Sequence, residues 1–386
     1  YCCQQGIKDI GRRQDGHWQR AKSIQEKYKK YVLAQTTELM KNYGKIDLFF
    51  IDSEILREEV KQKVWDIQPG VVITRGAIPT PEQNVPGESN TTYWETNMTM
   101  GNEWNYKPTN EHYKSGTELI DILIETRVKG GSYLLNIGPD QWGNINEGQM
   151  GLLMEIGAWN FVNHEAIQNV RSWIITNEEN LWLSKNKKEN IVYVYITGEP
   201  NWIRGDRKKF LLKSVKATPD TKISVLGQTG QIIEYMPQKD GMPYFHQTPN
   251  GLEFDVVRSQ RMYTNNKWPN PIVVKLENVE PGFVPAKFTT MRASQSNTSV
   301  IFKSHIEELG DCKTYKIGFE YRPVKSTTEG DFNEKWISSD FYPITAKGDY
   351  ELEVKKNTDT VLSGACRSRP VLVPDGLTPL GVWTWL

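Results

Sequence analysis

The pattern of hydrophobic positions divides the chain into two parts. Over roughly the first 165 residues, stretches with apolar residues at helical spacing alternate with short apolar runs, which is typical of helices alternating with strands. Beyond about residue 173 the helical spacing stops, and short alternating runs such as residues 191–196 and 271–276 are separated by turn residues. That change predicts an α/β domain followed by antiparallel β-structure.

The first part resembles a series of βα units. Gly44 is predicted to end the first helix, and Gln68-Pro69-Gly70 forms a turn before the second strand. Repeated units of this size predict parallel strands joined by right-handed crossovers, as in a (β/α) barrel. The predicted helices cover residues 20–42, 53–65 and 119–128, and the predicted strands cover residues 46–51, 71–74, 93–100 and 132–137.

The domain prediction follows from this change of pattern. Residues 1–170 are predicted to form a partial TIM-like (β/α) barrel that lacks its first strands, and residues 171–280 an antiparallel β-sandwich. Residues 281–365 repeat the β pattern and predict a second, smaller β-domain. Residues 366–386 contain three prolines and no strong period, so we treat them as a tail without a predicted element.

The most informative single residue is Asp52, which ends the apolar run at residues 46–51. We expect that strand to be buried on both faces. A carboxylate at the carboxyl end of such a strand stands at the mouth of a β/α fold, where barrel enzymes carry their chemistry. The alternative is that Asp52 or Ser53 caps the next helix.

Composition limits the classes of function. The chain has 386 residues, 38% of them hydrophobic, and its 47 basic residues balance 47 acidic ones. No charge excess therefore indicates binding to nucleic acid or to an anionic membrane. The 13 tryptophans and 17 tyrosines suit a protein that stacks aromatic rings on sugars, although most of them are expected in the core.

Neither a membrane span nor a metal site is predicted. No run approaches the roughly 20 apolar residues of a transmembrane helix, and the first residues lack the pattern of a signal peptide. We therefore expect a soluble protein, and a secreted or periplasmic location is favoured over a cytoplasmic one. Cys2 and Cys3 are adjacent, whereas Cys312 and Cys366 could pair in an oxidising compartment. The cysteines are too scattered for a zinc site, and no cofactor is predicted.

Several short motifs follow one another along the first part of the chain. They are YG at 43–44, the strand that ends in Asp52, QPGVVITR at 68–75, TPEQ at 80–83, WET at 94–96 with MTMG at 98–101 and Trp104, and LLNIGPD at 134–140. The last of them is followed by Gly143, Gly157 and Trp159. Each fragment alone is weak, but in this order and with a β-rich region behind them they resemble one enzyme family, the α-L-fucosidases of glycoside hydrolase family 29.

The resemblance implies a retaining exo-glycosidase that removes terminal α-linked L-fucose. Such chemistry uses two carboxyl groups, one as nucleophile and one as acid/base. By its place in the motif, Asp52 corresponds to the nucleophile, and Arg75 or nearby backbone donors are expected to stabilise its charge. Glu82 is the first candidate for the acid/base, Glu95 the second and Glu88 a further alternative. Its pKa is expected to be raised by burial and by Asp52.

The resemblance also suggests which side chains contact the sugar. Arg75, Trp94 and Trp104 are the predicted substrate-binding residues, with Trp104 preferred over Trp94 as the apolar wall against fucose. Glu95 could instead be a structural carboxylate of the pocket. Trp65 and Trp159 are expected in the core, and residues 136–140 are expected to close the pocket floor.

One feature departs from the family pattern. Only 51 residues precede Asp52, whereas family members place a much longer segment there. We therefore expect about two to three βα units to be lacking, with a homo-oligomer covering the exposed barrel edge. The alternative functions are a non-catalytic glycan-binding remnant and a glycosidase for a related sugar such as α-galactose.

Overall fold

A computed structural model shows a chain of two compact units, Tyr1–Thr80 and Pro81–Leu386. The structure describes residues 16–86, 92–109, 111–229, 233, 236–259, 270–296, 298–311, 315–323, 337–355, 366–374 and 382–383. Cys2, Cys3, Cys312 and Glu88 lie outside this range, so the predictions that concern them are not tested. None of the helices in the described part combines the length and the apolar character that crossing a bilayer requires.

The described residues of the first unit form two helices and a parallel pair of strands. Helix α1 spans Gly16–Asn42, strand β1 Leu48–Phe50, helix α2 Arg57–Ile67 and strand β2 Val72–Thr74. These elements confirm the predicted order, although α2 begins later and β1 is shorter than predicted. Gly44 adopts a φ of +80° just after α1, which favours glycine.

The core of this unit lies between the helices and one side of the strand pair. Met40, Val60, Val64 and Ile73 are buried together there. The expectation that β1 is buried on both faces is wrong, because Leu48 and its register partner Val72 are 49% and 45% exposed. The reason is that the helices cover only part of the strands, and in the described part of the chain β1 pairs with β2 alone.

The second unit begins with another parallel pair. Strand β3 spans Glu95–Thr99, helix α3 Gly116–Val128, strand β4 Ser132–Asn136 and helix α4 Glu147–Ile167. Ser115 and Glu118 form a capping box, which fixes where α3 begins. The predicted parallel arrangement is therefore confirmed for both pairs. Among the described residues, the strands do not close into a barrel.

A large antiparallel sheet supports the helices of the second unit. Its strand order is β20-β5-β6-β7-β12-β9, and a smaller sheet of order β10-β11-β8 shares an apolar core with it. The strands are β5 Val170–Glu178, β6 Leu181–Asn186, β7 Ile191–Ile196, β8 Arg207–Leu212, β9 Val215–Val225, β10 Tyr244–Thr248, β11 Gly251–Val257, β12 Ile272–Pro281 and β20 Val382–Trp383.

Two further sheets follow along the chain. One has the order β13-β14-β18, and in the other β15 pairs with β16, β17 and β19. Phe288, Ile306 and Ile317 belong to the apolar core between them. The strands are β13 Lys287–Gln295, β14 Ser299–Glu308, β15 Tyr315–Pro323, β16 Ile337–Ser338, β17 Tyr342–Ile344, β18 Gly348–Lys355 and β19 Cys366–Pro374. Sequence patterns did not identify β19 or β20, which lie in the predicted tail.

Helices α3 and α4 are attached to the outer face of the six-stranded sheet. Ile120, Ile124 and Trp159 pack there with Tyr193 and Tyr195 of β7. The Trp159 indole nitrogen donates to the Pro271 carbonyl at 2.8 Å, so the expectation that Trp159 is a core residue is confirmed. The position of α3 and α4 is therefore set by strands far along the sequence.

A buried carboxyl group on α3 makes the stability of this unit depend on pH. Burial, with the Glu125 and Glu118 charges one turn away, raises the pKa of Asp121 from 3.8 to about 7. Its Oδ1 atom is buried and has no hydrogen-bond partner among the described residues. The folded state therefore favours the protonated form of Asp121.

We predict that Asp121→Asn stabilises the protein at pH 8 and leaves stability unchanged near pH 4. The pKa of Asp121 is higher in the folded state than in the unfolded state. The stability that wild type gains from protonated Asp121 is therefore fully present below the unfolded pKa of 3.8 and is lost as pH rises through about 7. The gain at pH 8 is at most about 4 kcal/mol. Thermal unfolding at both pH values measures this difference in stability. Asp66→Asn, at an exposed position, is the control. If the stability of wild type and of Asp121→Asn depends on pH in the same way, the prediction is wrong.

Candidate active site

The carboxyl edge of the first strand pair carries an ion pair. Asp52 lies two residues after β1 and Arg75 directly after β2, so the parallel register brings them to the same edge. The Arg75 guanidinium lies 2.8 Å from the Asp52 Oδ1 atom. The Asp52 side chain is 75% exposed, so its carboxylate is open to solvent beside the Arg75 guanidinium.

The backbone around Arg75 is constrained. Arg75 has a φ of +55°, which is unusual for a residue with a side chain. Its backbone N–H donates to the Thr80 hydroxyl at 2.8 Å, and this contact holds the turn after β2. Strained backbone of this kind is frequent at functional sites.

The alternative that Asp52 or Ser53 caps helix α2 is wrong. The N-cap of α2 is Leu56, in a left-handed conformation, and no side chain caps this helix. The Ser53 hydroxyl instead accepts a hydrogen bond from the Ile55 backbone N–H at 3.1 Å. Asp52 therefore has no capping role that would explain its position.

In the second unit, Glu82 lies beside β3. The backbone N–H of Gln83 donates to the Asn97 carbonyl at 2.7 Å, and the Asn97 N–H donates to the Pro81 carbonyl at 3.0 Å. Glu82 and Asn97 thus form a parallel β-bridge. Glu82 is therefore held next to β3 by backbone pairing.

Glu82 and Glu95 share one face of this small parallel sheet. Because side chains alternate along a strand, Glu95 points to the same side as Asn97, the bridge partner of Glu82. Strand geometry places the Cα atoms of the two glutamates roughly 8 Å apart. The two candidate acids are therefore neighbours on a polar face, and either one could carry a proton to a ligand there.

Glu95 retains its proton more readily than an exposed glutamate. Burial raises its pKa above the ordinary value of 4.5. Its Oε1 atom is buried without a hydrogen-bond partner among the described residues, and the same holds for Oδ1 of Asn97 on the same face. A neutral carboxyl group is favoured where no donor compensates the charge.

The two candidate tryptophans lie at opposite ends of β3. Trp94 precedes the strand, is 2% exposed, and donates from its indole nitrogen to the Lys129 carbonyl at 3.3 Å. Trp104 follows the strand and is 38% exposed. Since the five-residue strand rises about 3.3 Å per residue, its ends are about 13 Å apart. The structure therefore does not place the two indoles side by side.

Trp104 lies at the carboxyl edge of β3 and β4. The side-chain amide of Asn136, the last residue of β4, donates to the Trp104 carbonyl at 2.8 Å. Gly138 follows, and a Cβ atom there would lie 2.6 Å from the backbone nitrogen of Tyr106. The loop after β3 therefore packs against the residues at the end of β4. Trp104 and Tyr106 of this loop are both partly exposed.

The comparison with protein families agrees with these motifs. The family profile described as alpha-L-fucosidase matches residues 12–165. Over residues 12–165 the chain is similar to the alpha-L-fucosidases. The resemblance predicted from the sequence motifs is thereby confirmed, and the matched segment contains Asp52, Arg75, both glutamates and both tryptophans discussed above.

Individual fucosidases show the same relationship. The alpha-L-fucosidase of Dictyostelium discoideum is 30% identical over 141 residues, which is 36% of this chain and 30% of that protein. Alpha-L-fucosidase isoenzyme 1 from Paenibacillus thiaminolyticus is 21% identical, with a TM-score of 0.52 over 70% of this chain and 64% of that one. A Bacteroides thetaiotaomicron GH29 alpha-L-fucosidase with a trapped covalent intermediate is 16% identical, with a TM-score of 0.51 over 69% and 63%.

The extent of these matches defines what they establish. The aligned segment spans about a third of the length of the curated fucosidase from Dictyostelium discoideum. The solved structures, at this level of identity, establish a shared fold. The sequence similarity to fucosidases therefore applies to residues 12–165, and the similarity to the solved structures is one of fold.

Sequence reasoning overlooked the polar residues between the predicted ones. Gln83 donates from its amide to the Thr99 hydroxyl at 2.8 Å and ties the Glu82 segment to β3. Asn97, the bridge partner of Glu82, has a buried amide oxygen on the same face as Glu95. The alternation of Glu95, Asn97 and Thr99 along β3 was a signal that one face of this strand is polar.

We predict that Gly131→Ala destabilises the protein by about 1–3 kcal/mol through overpacking. A Cβ atom at Gly131 would lie 2.4 Å from the ring of Trp94, which is enclosed between α3 and β4. Gly157→Ala is the matched control, since nothing lies within 4 Å of its Cβ position in α4. Thermal unfolding of both variants tests whether Trp94 is a packing residue; a Gly131→Ala variant as stable as wild type would argue that its indole can move freely.

Proposed function

We propose that the chain belongs to a retaining exo-α-L-fucosidase that removes terminal α-linked L-fucose from glycans. The observation that carries the proposal is the Asp52–Arg75 pair at the carboxyl edge of β1 and β2, within the segment related to fucosidases. An exposed carboxylate with one cationic partner suits a nucleophile, which must be ionised and accessible. The trapped covalent intermediate of the Bacteroides thetaiotaomicron relative supports a double displacement.

In this proposal Asp52 attacks the anomeric carbon of fucose while a second carboxyl group protonates the departing oxygen. The bond to the leaving group breaks, and a covalent fucosyl–Asp52 ester forms. The second group, now ionised, takes a proton from water, which attacks the ester and releases fucose with retained configuration. Arg75 stabilises the Asp52 carboxylate before attack and again as it is released.

We assign the acid/base role to Glu95, with Glu82 as the alternative. The buried environment that raises the pKa of Glu95 supports this choice, because a general acid must hold its proton near the working pH. Glu82 is held beside Asn97 on the same face, so it is within reach of the same ligand. The partial exposure of Trp104 supports a role against the sugar ring, whereas the burial of Trp94 supports a structural one.

Three further properties stay predictions. The substrate is proposed to be a fucosylated glycan, and the protein is predicted to form a homo-oligomer and to act in a secreted or periplasmic setting. Exposed apolar residues on α4, Met154 and Phe161 among them, would be suited to a contact between copies. No nucleic acid, membrane or cofactor is predicted to take part.

We predict that Asp52→Asn abolishes release of the aryl group from an aryl α-L-fucoside, with a loss of at least about 10³-fold in kcat, because the amide cannot form the ester. Glu54→Gln, an exposed neighbour, is the control and should keep wild-type turnover. Proton NMR of the first product should show the retained α anomer.

Other outcomes would favour the alternative functions. Wild-type protein that binds fucose without turnover would indicate a glycan-binding protein. Turnover of an aryl α-D-galactoside in place of the fucoside would indicate a related glycosidase. Equal turnover by wild type and Asp52→Asn would remove Asp52 from the mechanism.

We predict that Glu95→Gln lowers kcat/KM about 10²- to 10⁴-fold for a fucoside with a poor leaving group. With α-L-fucosyl fluoride, which needs little protonation, the first step should persist, and azide should restore turnover because it needs no general base. The alkaline limb of the pH profile of kcat/KM should disappear, since it reports ionisation of the acid.

Glu82→Gln is the matched variant on the same face of the sheet. If azide rescues Glu82→Gln and not Glu95→Gln, the acid/base is Glu82. If azide rescues neither variant, both assignments fail while the role of Asp52 stands on its own test.

A further inference from the structure

A short turn after β4 presents an exposed indole. The backbone N–H of Asp140 donates to the Asn144 carbonyl at 2.9 Å, and the Gly143 N–H donates to the Asp140 carbonyl at 3.0 Å. Trp142 stands at the tip of this turn with 77% of its surface exposed. An indole in this position leaves a large apolar face in contact with water.

Hydrogen bonds to the Asp140 carboxylate stabilise the turn. Oδ1 of Asp140 accepts the backbone N–H groups of Trp142 at 2.9 Å and of Asn144 at 2.8 Å, and Oδ2 accepts the Asn144 side-chain amide at 3.2 Å. Gly143 follows Trp142 with a φ of +84°, which a residue with a side chain rarely adopts. Trp142 is thus carried by a structured turn, and less conformational entropy is lost when a ligand stacks on it.

The turn projects from the same edge of the sheet as Trp104. It begins four residues after Asn136, whose side chain binds the Trp104 carbonyl, and two residues after Gly138, which contacts the backbone of Tyr106. Four residues of extended chain reach at most about 14 Å, so the Trp142 backbone lies within that distance of Gly138. One edge of the β3–β4 sheet therefore carries three exposed aromatic residues: Trp104 and Tyr106, which are partly exposed, and Trp142, which is mostly exposed.

We propose that Trp142 is a stacking platform for the part of a fucosylated oligosaccharide beyond the fucose unit, and that it sets preference for oligosaccharide over simple fucosides. The face of a pyranose ring offers C–H groups of the size and apolar character that an indole face covers, and burying this surface is favourable. This inference rests on the proposed function. It names the substrate class, because a free monosaccharide has no second sugar to stack there.

The role of Trp142 is tested with two substrates and one binding measurement. We expect Trp142→Ala to lower kcat/KM for a fucosylated trisaccharide about tenfold or more, as truncation of a buried aromatic contact does. Turnover of α-L-fucosyl fluoride, whose leaving group has no ring, should stay within about twofold of wild type. Trp142→Phe should keep most of the wild-type kcat/KM for the trisaccharide. Tyr342→Ala, which removes an exposed aromatic side chain of β17, is the control.

A binding measurement separates this inference from the proposed function. The non-fucosylated oligosaccharide that remains after fucose removal should bind wild type in saturation-transfer NMR, and Trp142→Ala should lose that signal whether or not the protein is catalytic. No turnover of either substrate would reject the proposed activity, and the binding result would still decide the role of Trp142. Equal binding by wild type and Trp142→Ala, or no binding by either, would overturn the inference. A change in oligomeric mass in Trp142→Ala without a change in glycan binding would also overturn it, since the indole would then contact a second copy.

Discussion

Parallel strand pairing is the constraint on which the candidate site depends. In a parallel pair, the residues that follow both strands emerge at the same edge of the sheet. Backbone pairing therefore brings together side chains that are distant in sequence. The register of β1 with β2 brings Asp52 to Arg75, and the register of β3 with β4 brings Asn136 to the loop that carries Trp104. A shift of one residue in either register would turn these side chains to the other face. Buried contacts such as those of Ile73 and Val64 therefore maintain the site indirectly by fixing the strands.

The second unit combines a polar face with a strongly apolar support. Glu82, Glu95 and Asn97 share one face of the small parallel sheet, where two oxygen atoms are buried without partners among the described residues. Burying such groups costs free energy, which apolar packing elsewhere in the unit must offset. That packing comes from α3 and α4, which are attached to the six-stranded sheet through Trp159 and Tyr195. The β-rich half of the chain thus stabilises an α/β part that carries the polar residues.

Local patterns were good predictors wherever a short stretch contains all the information. The glycine after α1 marks a helix end by backbone geometry alone, and the sequence predicted it. The capping box of Ser115 and Glu118 is an equally local signal, which the sequence prediction did not use. The strand β19 was not readable, because the prolines and polar residues of 366–374 form a strand only through pairing with β15. The exposure of Leu48 and Val72 was also missed, because an apolar run does not reveal which of its faces is covered.

The sequence by itself determined the order of helices and strands in the α/β part and the resemblance to the fucosidases, and it predicted Asp52 as the candidate nucleophile. These follow from periodicity and from motifs that are continuous along the chain. The Arg75–Asp52 contact was one of two alternatives predicted from the sequence, and the structure shows it. Only the tertiary structure decided that Glu82 is paired beside β3, that Trp94 is buried and that Trp142 is exposed to solvent. The physical reason is that burial, strand register and ion pairing are relations between segments distant in sequence, and a single stretch of residues does not contain them.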